Sequence, residues 1–366
     1  MTTTKSPRLS AIVRLIGLSA IASLWVAAPS TLLAQSNGYR FVSFGDSLSD
    51  VGTYYPFAHT YFDGGLFTTN PSQIWTQMVA EHYGDDLTPA FEGGFGVPLV
   101  PTGGLGYAQG GSRVSMQPGI GHAPPGTPNA DYAQATTVPV TVQVDDFLQY
   151  FGRFQSNQVV LINGGANDLL YNLEGALMTG TTPKSAQLLQ DIAAVQKAAV
   201  DYGNLVKKIL NAGAKHVVVL NLADFSQSPE GLASLDQGKV LRPIIRAFND
   251  TLAATLILNG SWNRIIYVDA FSFMDSVLAN YQALGFSVSN TGTACNGEAE
   301  IEEAVGLGFS PDPEFADALF CSPATYTVPE APQTYMFADG LHPTTHYSEL
   351  FAQFVEGKMA ARGIVP

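Results

Sequence analysis

Four short runs rich in β-branched residues, with helical patterns between them, constrain the fold of this chain more than any other feature. The runs cover Tyr39–Phe44, Gln158–Asn163, His216–Leu222 and Arg264–Asp269, and each has the length of a buried strand. Strands that alternate with helices are expected to be parallel, in a sheet that helices cover on both faces. The sequence therefore predicts an α/β fold with a mainly parallel central sheet.

Helical periodicity is clearest between the second and third runs. Apolar residues recur every three or four positions over Ser185–Asn211, and Gly213 is a plausible end of that helix. Further helices are expected over Leu241–Leu258 and Thr345–Ala361. In such a sheet, ligands bind beyond the carboxyl ends of the strands. Side chains that follow a strand are therefore the first candidates for a functional site.

The first 34 residues are typical of a secretory signal peptide. Three basic residues precede a continuous apolar stretch, and small residues follow near Ala34. The mature protein, from residue 35, is therefore expected to be secreted or periplasmic. It contains no second apolar run that approaches the roughly 20 residues of a bilayer-spanning helix, so we expect no transmembrane segment in it.

The charge of the chain limits its partners. The net charge is −14, and the predicted signal peptide carries only positive charges, so the mature chain is more acidic still. An acidic surface repels the phosphates of nucleic acids and anionic lipids. We therefore expect no nucleic-acid partner. No oligomeric state is predicted.

Two stretches interrupt the α/β pattern. Residues 84–137 are crowded with Gly, Pro and Thr, and residues 286–335 show little periodicity and contain both cysteines. No repeat or interdomain linker is evident, so residues 35–366 are expected to form one domain with loop insertions near 84–137 and 286–335 that shape a cleft. For the first stretch, simple surface decoration is an equally open interpretation.

Cys295 and Cys321 are the two cysteines of the chain. An exported chain meets an oxidising compartment, so a disulfide between them is expected. Closing this loop would contribute on the order of 3 kcal/mol to stability. Two free buried thiols are the alternative.

The first predicted strand ends in the stretch FGDSLSD, which contains Ser47. The hydroxyl of Ser47 is expected at the carboxyl edge of the sheet, where a strand-to-helix turn also presents backbone N–H groups to a developing oxyanion. A serine becomes a nucleophile when a base takes its proton and a third group orients that base. Gly-Asp-Ser is also common turn chemistry, so a structural role is the alternative.

A candidate base lies far downstream, in the stretch FADGLHPT. Asp339 precedes His342 by three residues, and a turn can bring both side chains to the same side. The carboxylate would then accept a hydrogen bond from Nδ1–H and leave Nε2 free to face Ser47. The pair could instead cap the helix that begins near Thr345, and His346 lies close enough in sequence to compete with His342.

Two further segments could bind an oxyanion. GYAQGGS, residues 106–112, is a glycine-rich turn whose backbone N–H groups can approach a ligand closely. INGGANDLL ends the second predicted strand and contains Asn167, whose side-chain amide can donate a hydrogen bond at the same edge of the sheet. Tight turns for the glycines and a helix cap for Asn167 are the alternatives.

Together, FGDSLSDVG, GYAQGGS, GANDLL and DGLHPT resemble, in this order, the four sequence blocks of the GDSL family of SGNH hydrolases. The resemblance implies a flavodoxin-like, three-layer α/β/α sandwich with Ser47, Asp339 and His342 as a catalytic triad. It also implies an oxyanion hole formed by the backbone N–H groups of Ser47 and Gly111 and the side chain of Asn167.

The glycine block leaves two points open. Gly110 is the alternative to Gly111 as the oxyanion donor, and Gly106 stands where the family often has Asn. This departure concerns what supports the loop of the glycine block, residues 106–112, and not the candidate nucleophile Ser47.

The resemblance implies a secreted serine esterase or lipase that hydrolyses carboxylic esters through an acyl-serine intermediate. The sequence has no G-x-S-x-G, H-E-x-x-H or P-loop motif, and we expect no metal or other cofactor. The expected partner is a small-molecule ester or a lipid, and the predicted secretion and aromatic content favour lipidic or aryl esters. An acyltransferase or phospholipase with the same triad, or a non-catalytic secreted binding module, are the alternatives.

Overall fold

The computed structural model describes residues 38–122, 135–178, 185–234 and 238–366. The strands are β1 (Arg40–Phe44), β2 (Phe91–Gly94), β3 (Val97–Pro101), β4 (Gln158–Ile162), β5 (His216–Leu220) and β6 (Ile266–Val268). The helices are α1 (Tyr55–Phe62), α2 (Trp75–His82), α3 (Val140–Phe151), α4 (Ala166–Met178), α5 (Ser185–Asn211), α6 (Pro229–Ala233), α7 (Leu241–Leu258), α8 (Ala270–Ala279), α9 (Gly297–Gly306), α10 (Ala331–Thr334) and α11 (Thr345–Ala360). The predicted signal peptide, residues 1–34, lies outside the described residues.

The central sheet has the strand order β1-β4-β5-β6, and each neighbouring pair is parallel. Phe44 lies opposite Ile162, which in turn lies opposite Val219 on β5. The carboxyl ends of the strands therefore meet at one edge of the sheet. The four predicted strands are confirmed, each to within two residues at either end.

Helices cover both faces of this sheet. On β4, Val160 and Ile162 pack in a core with side chains of α3, α5 and α7. Val159 and Leu161 point to the opposite face and pack with side chains of α2, α8 and α11. Because both faces are buried, the strands are continuously apolar instead of alternating in polarity. The expected three-layer α/β/α sandwich is confirmed.

The two stretches expected as loop insertions contain short regular elements. Strands β2 and β3 form an antiparallel hairpin within residues 84–137. Residues 286–335 contain α9 and α10, and Asn296 caps α9 by accepting hydrogen bonds from the backbone N–H groups of Glu298 and Ala299. The predicted disulfide between Cys295 and Cys321 is confirmed, and both cysteines are buried.

The longest helix of the described ranges is α5, with 27 residues. It is amphipathic and packs against α7. In the described parts of the chain, no helix is both long enough and apolar enough to cross a bilayer. The described residues belong to one compact unit, residues 37–366.

Candidate active site

The nucleophile turn, residues 45–49, follows β1 directly. Asp46 leads into one turn of 3-10 helix over Ser47–Ser49, and its carboxylate caps this turn by accepting a hydrogen bond from Leu48 N–H at 3.2 Å. Trp75 on α2 donates its indole N–H to the carbonyl of Leu48 at 2.7 Å. These contacts hold Ser47 at the carboxyl edge of the sheet.

The structure brings Asp339 and His342 to Ser47, although 295 positions separate His342 from Ser47 in the sequence. His342 Nε2 lies 2.8 Å from Ser47 Oγ, and His342 Nδ1 lies 2.6 Å from Asp339 Oδ2. All three side chains are buried. With Nδ1–H donated to the carboxylate, Nε2 is free to accept the proton of the Ser47 hydroxyl.

Asp339 is held by its own turn and by a distant segment. Its Oδ1 accepts hydrogen bonds from the backbone N–H groups of Leu341 and His342 at 2.7 and 2.6 Å. Its Oδ2 accepts a further one from Ala318 N–H at 2.8 Å. The N-cap of α11 is Thr344, and the first N–H of this helix, that of Thr345, donates to the side chain of Thr69 at 3.1 Å, so the alternative that Asp339 and His342 serve as its cap is wrong.

The charges of this pair shift both pKa values. Burial lowers the pKa of His342, but the adjacent Asp339 carboxylate outweighs burial and raises the pKa to about 9. Burial raises the pKa of Asp339, but the charge and hydrogen bonds of His342 outweigh burial and hold this pKa below its usual value. The neutral imidazole, which is the form that can act as a base, therefore becomes the main form only in alkaline solution.

His346, the histidine nearest to His342 in the sequence, is engaged elsewhere. Its Nδ1 lies 3.1 Å from a carboxylate oxygen of Glu349, and its Nε2 lies 2.8 Å from the carbonyl oxygen of Leu284. The structure therefore separates His346 from Ser47 and pairs Ser47 with His342.

The glycine block runs alongside β1. The N–H of Tyr107 donates to the carbonyl of Ser43 at 2.8 Å, and the N–H of Gln109 donates to the carbonyl of Gly45 at 3.2 Å. Gly106 itself forms a parallel bridge with Ser43. Backbone hydrogen bonds to β1 therefore hold this loop, and an Asn side chain at position 106 is not needed for that purpose.

Gly110 and Gly111 differ in the availability of their N–H groups. The N–H of Gly110 donates to the carboxylate of Asp50 at 2.8 Å. That of Gly111 has no hydrogen-bond partner within the ranges that the structure describes. Gly111 has φ of +77°, and a Cβ at this position would lie 2.0 Å from the carbonyl oxygen of Ile120, so a side chain does not fit there. These observations favour Gly111 over Gly110 as a donor to a ligand.

The GANDLL segment is tied to the glycine block. Asn167, near the start of α4, donates one amide hydrogen to the carbonyl of Ser112 at 3.0 Å. Asp168 accepts hydrogen bonds from Val114 N–H at 2.7 Å and from Arg113 Nε at 3.3 Å. The second hydrogen of the Asn167 amide remains to serve a ligand.

Gln143 on α3 is a functional candidate that the motif analysis missed. Its Oε1 accepts a hydrogen bond from Gly45 N–H at 2.9 Å, and its Nε2 donates to the carbonyl of Gly45 at 2.8 Å. Gln143 shares the buried face of its helix with Val140, Val144 and Phe147. A polar residue on an otherwise apolar helical face was the signal in the sequence.

A largely apolar cavity of about 60 Å³ lies beside the nucleophile turn. Leu48 and Leu341, the neighbours of Ser47 and His342 in the sequence, line it together with Asp46, Asn163 and side chains of α2, α8 and α11. Burial raises the pKa of Asp46 to about 6. Its Oδ2 and the Oδ1 of Asn163 are buried and have no hydrogen-bond partner among the described residues. The cavity therefore combines apolar walls with polar atoms.

Two groups of side chains in the described residues have the atom types of metal ligands. They are Asp317, Asp339 and His342, and Cys295, Glu300 and Cys321. In the first group, the Nδ1–Oδ2 hydrogen bond engages the histidine and one carboxylate. In the second group, the two sulfur atoms are joined in the disulfide, so thiolates are not available to a cation.

Comparisons with known proteins identify the family of the chain. A family model described as GDSL-like Lipase/Acylhydrolase matches residues 41–355, which include Ser47, Gly111, Asn167, Asp339 and His342. The chain is also similar to an uncharacterized protein in the trpE-trpG intergenic region of Pseudomonas putida, with 24% identity over 359 residues that cover 93% of this chain. The chain spans about half of that relative, 52% of its length. Because the family model covers most of the chain, the protein belongs to the GDSL-like Lipase/Acylhydrolase family.

Proposed function

We propose that this protein is a serine esterase that hydrolyses carboxylic esters through an acyl-serine intermediate. The observation that carries the proposal is the 2.8 Å separation of His342 Nε2 and Ser47 Oγ, with Asp339 bound to the other ring nitrogen. Membership of the family supports an esterase-type or lipase-type hydrolase activity.

In the proposed reaction, His342 takes the proton of Ser47 as Oγ attacks the carbonyl carbon of the ester. The oxyanion that forms accepts hydrogen bonds from the N–H groups of Ser47 and Gly111 and from the amide of Asn167. The imidazolium then gives its proton to the departing alcohol, and an acyl-serine remains. Asp339 stays ionised and stabilises the imidazolium in both steps.

Hydrolysis of the acyl-serine repeats these steps with water. His342 removes a proton from a water molecule, whose oxygen attacks the acyl carbon, and the same donors bind the second oxyanion. Collapse of this intermediate returns the proton to Ser47 Oγ and releases a carboxylic acid. Every proton transfer in this scheme is made by His342, and none requires a metal or another cofactor.

We assign the acyl group of the substrate to the cavity beside the nucleophile turn. Its volume of about 60 Å³ is less than half of the roughly 150 Å³ that accommodates benzene in an engineered cavity. By this comparison it accommodates roughly two or three carbon atoms. The proposed substrates are therefore esters of short acids, and their alcohol part, aryl or other, lies outside the cavity.

We also propose that the protein is exported, as the sequence of residues 1–34 suggests. The disulfide between Cys295 and Cys321 supports this location, because such bonds persist in extracellular and periplasmic compartments.

The experiment that tests the proposed function measures the products of an aryl acetate. The wild type is expected to release acetic acid and the phenol, and the Ser47→Ala variant is expected to release neither above background. Ser49→Ala is the matched control, because Ser49 lies in the same turn and its buried Oγ has no partner in the described residues; it is expected to retain activity.

The same assay separates the alternative functions. With glycerol added, formation of an acetyl ester in place of acetic acid would identify an acyltransferase. Release of a fatty acid from a phospholipid, without cleavage of the aryl acetate, would identify a phospholipase. A wild-type protein that binds esters but cleaves none would contradict the proposal and favour a binding module.

A further inference from the structure

A segment outside the four sequence blocks contacts the catalytic pair. The backbone N–H of Ala318 donates to Asp339 Oδ2 at 2.8 Å. This is the oxygen that also binds His342 Nδ1 at 2.6 Å. Ala318 is fully buried, so the position of its N–H depends on what holds residues 317–321.

The side chain of Asn70 holds this segment from one side. Its Nδ2 lies 3.1 Å from the carbonyl oxygen of Ala318 and 2.9 Å from that of Cys321. Its Oδ1 accepts a hydrogen bond from Leu66 N–H at 2.9 Å. Asn70 is 2% exposed. One buried amide therefore joins two loops that are about 250 positions apart in the sequence.

The disulfide holds the segment from the other side. Cys321 lies at the end of residues 317–321, and its partner Cys295 donates its backbone N–H to the carbonyl of Ala338 at 2.9 Å. Ala338 directly precedes Asp339. The disulfide therefore joins two segments that contact Asp339 or its neighbour. Residues 317–321 contact the Asp339 side chain, and Cys295 pairs with the backbone of Ala338.

We propose that Asn70 and the Cys295–Cys321 disulfide are positioning elements for Asp339. They hold the N–H of Ala318 at Oδ2, and so they keep the carboxylate in contact with His342. Neither acts on the substrate, and the role rests on the triad proposed above. A carboxylate released from Ala318 can rotate away from Nδ1, and both its electrostatic effect on the imidazole and the orientation of the ring would then weaken.

Among the described residues, Asp46, Asp317 and Glu300 are further ionisable groups that act on this pair. A neutral substitution at Asn70 leaves all three in place. A change in the titration of His342 would therefore report the contact with Asp339 and not a change in the number of charges around it.

The test follows the titration of His342 by NMR in protein with labelled histidine. The variants are Asn70→Leu, which is nearly isosteric and uncharged, and the double variant Cys295→Ser with Cys321→Ser. Asn259→Leu is the matched control. Asn259, the C-cap of α7, also donates its amide to a backbone carbonyl, but this carbonyl belongs to Gly203 on α5. In the Asn259→Leu variant, the pKa of His342 and the activity are expected to match those of the wild type.

In both test variants the pKa of His342 is expected to fall from about 9 toward 6.5. We expect kcat for an aryl ester to fall about 10- to 100-fold, as for other small misplacements of reacting groups, while KM changes little. A folded Asn70→Leu protein with the wild-type pKa would overturn the proposal. If Asn70→Leu does not fold, the double variant decides in the same way. If neither folds, both elements serve global stability and the proposal is wrong.

The NMR measurement needs no substrate, so the two proposals can fail separately. A wild type that cleaves no ester, but whose His342 pKa falls in the variants, would contradict the proposed function and support the positioning role. An active wild type whose His342 pKa is the same in all variants would contradict the positioning role alone.

Discussion

Gln143 holds the backbone of Gly45 through both of its polar groups. The side-chain oxygen accepts from the N–H of Gly45 at 2.9 Å, and the side-chain nitrogen donates to its carbonyl at 2.8 Å. Gly45 lies two positions before Ser47, at the point where β1 ends. The position of the nucleophile turn therefore depends on a buried amide that α3 supplies.

Replacing Gln143 with Leu is expected to destabilise the protein and reduce its activity. The change leaves the N–H of Gly45 buried without its partner, and an unsatisfied group of this kind costs about 1 to 3 kcal/mol. The carbonyl of Gly45 keeps its hydrogen bond from the N–H of Gln109. Denaturant unfolding should show this loss of stability, and kcat should fall with it. Gln149→Leu, at an exposed position of the same helix, is the control. Equal stability of the two variants would contradict this role of Gln143.

The activity is expected to increase with pH above neutrality. The proposed mechanism needs the neutral imidazole of His342, whose pKa is raised to about 9 by Asp339. Because a raised pKa keeps the base protonated at lower pH, kcat/KM should increase between about pH 7 and pH 9 and level off above. A profile of kcat/KM against pH measures this directly. A midpoint below pH 6.5 would contradict the assigned contact between Asp339 and His342.

The Asp339→Asn variant is expected to change both the profile and the rate. Without the carboxylate, the midpoint should fall below that of the wild type. The rate should fall roughly 10⁴-fold, as in serine proteases in which Asn replaces the triad aspartate and the wrong imidazole tautomer is stabilised. The same pH series measures both effects. An unchanged midpoint in a folded variant would show that Asp339 does not control His342.

Removing the amide of Asn167 is expected to slow turnover without a comparable change in KM. An oxyanion donor contributes roughly 10² to 10³ in kcat, so Asn167→Ala should lose about this much with an aryl ester. Asn172→Ala, which removes an amide one turn later on α4, is the control. Turnover at the wild-type rate in Asn167→Ala would exclude the side chain from the oxyanion hole.

The cavity predicts a preference for short acyl chains that one substitution should relax. Met274 on α8 lines the cavity, and Met274→Ala would enlarge it. On a series of aryl esters, the wild type should cleave the short-chain esters, from acetate through butyrate, faster than the octanoate. The preference of the variant should shift toward longer chains. Met359→Ala, which truncates a buried methionine outside the cavity lining, should not. The same chain-length preference in all three proteins would place the acyl group elsewhere.

The strands were predictable from the sequence because their local composition and their buried environment agree. Val159, Val160 and Leu161 are all fully buried, as an apolar run in a parallel sheet requires. Helices α2 and α8 were not predicted, because 8 and 10 residues give too few turns for a clear period. Helix α9 depends on capping by Asn296 and not on an apolar face.

The candidate triad was predictable because each member lies in a recognisable block. The elements that hold it were not, since Ala318 acts through its backbone N–H and any residue type can supply that group. Asn70 and Gln143 act on backbone groups of segments that are distant in the sequence. Their roles follow from contacts that exist only in the folded chain.

The most direct test of the central claim is covalent labelling of Ser47 by a fluorophosphonate, located by mass spectrometry. The account predicts a single adduct on the peptide that contains Ser47 in the wild type, and none at this position in a folded His342→Ala variant. Modification of a different serine in the wild type, or labelling of Ser47 at the same rate without His342, would contradict it.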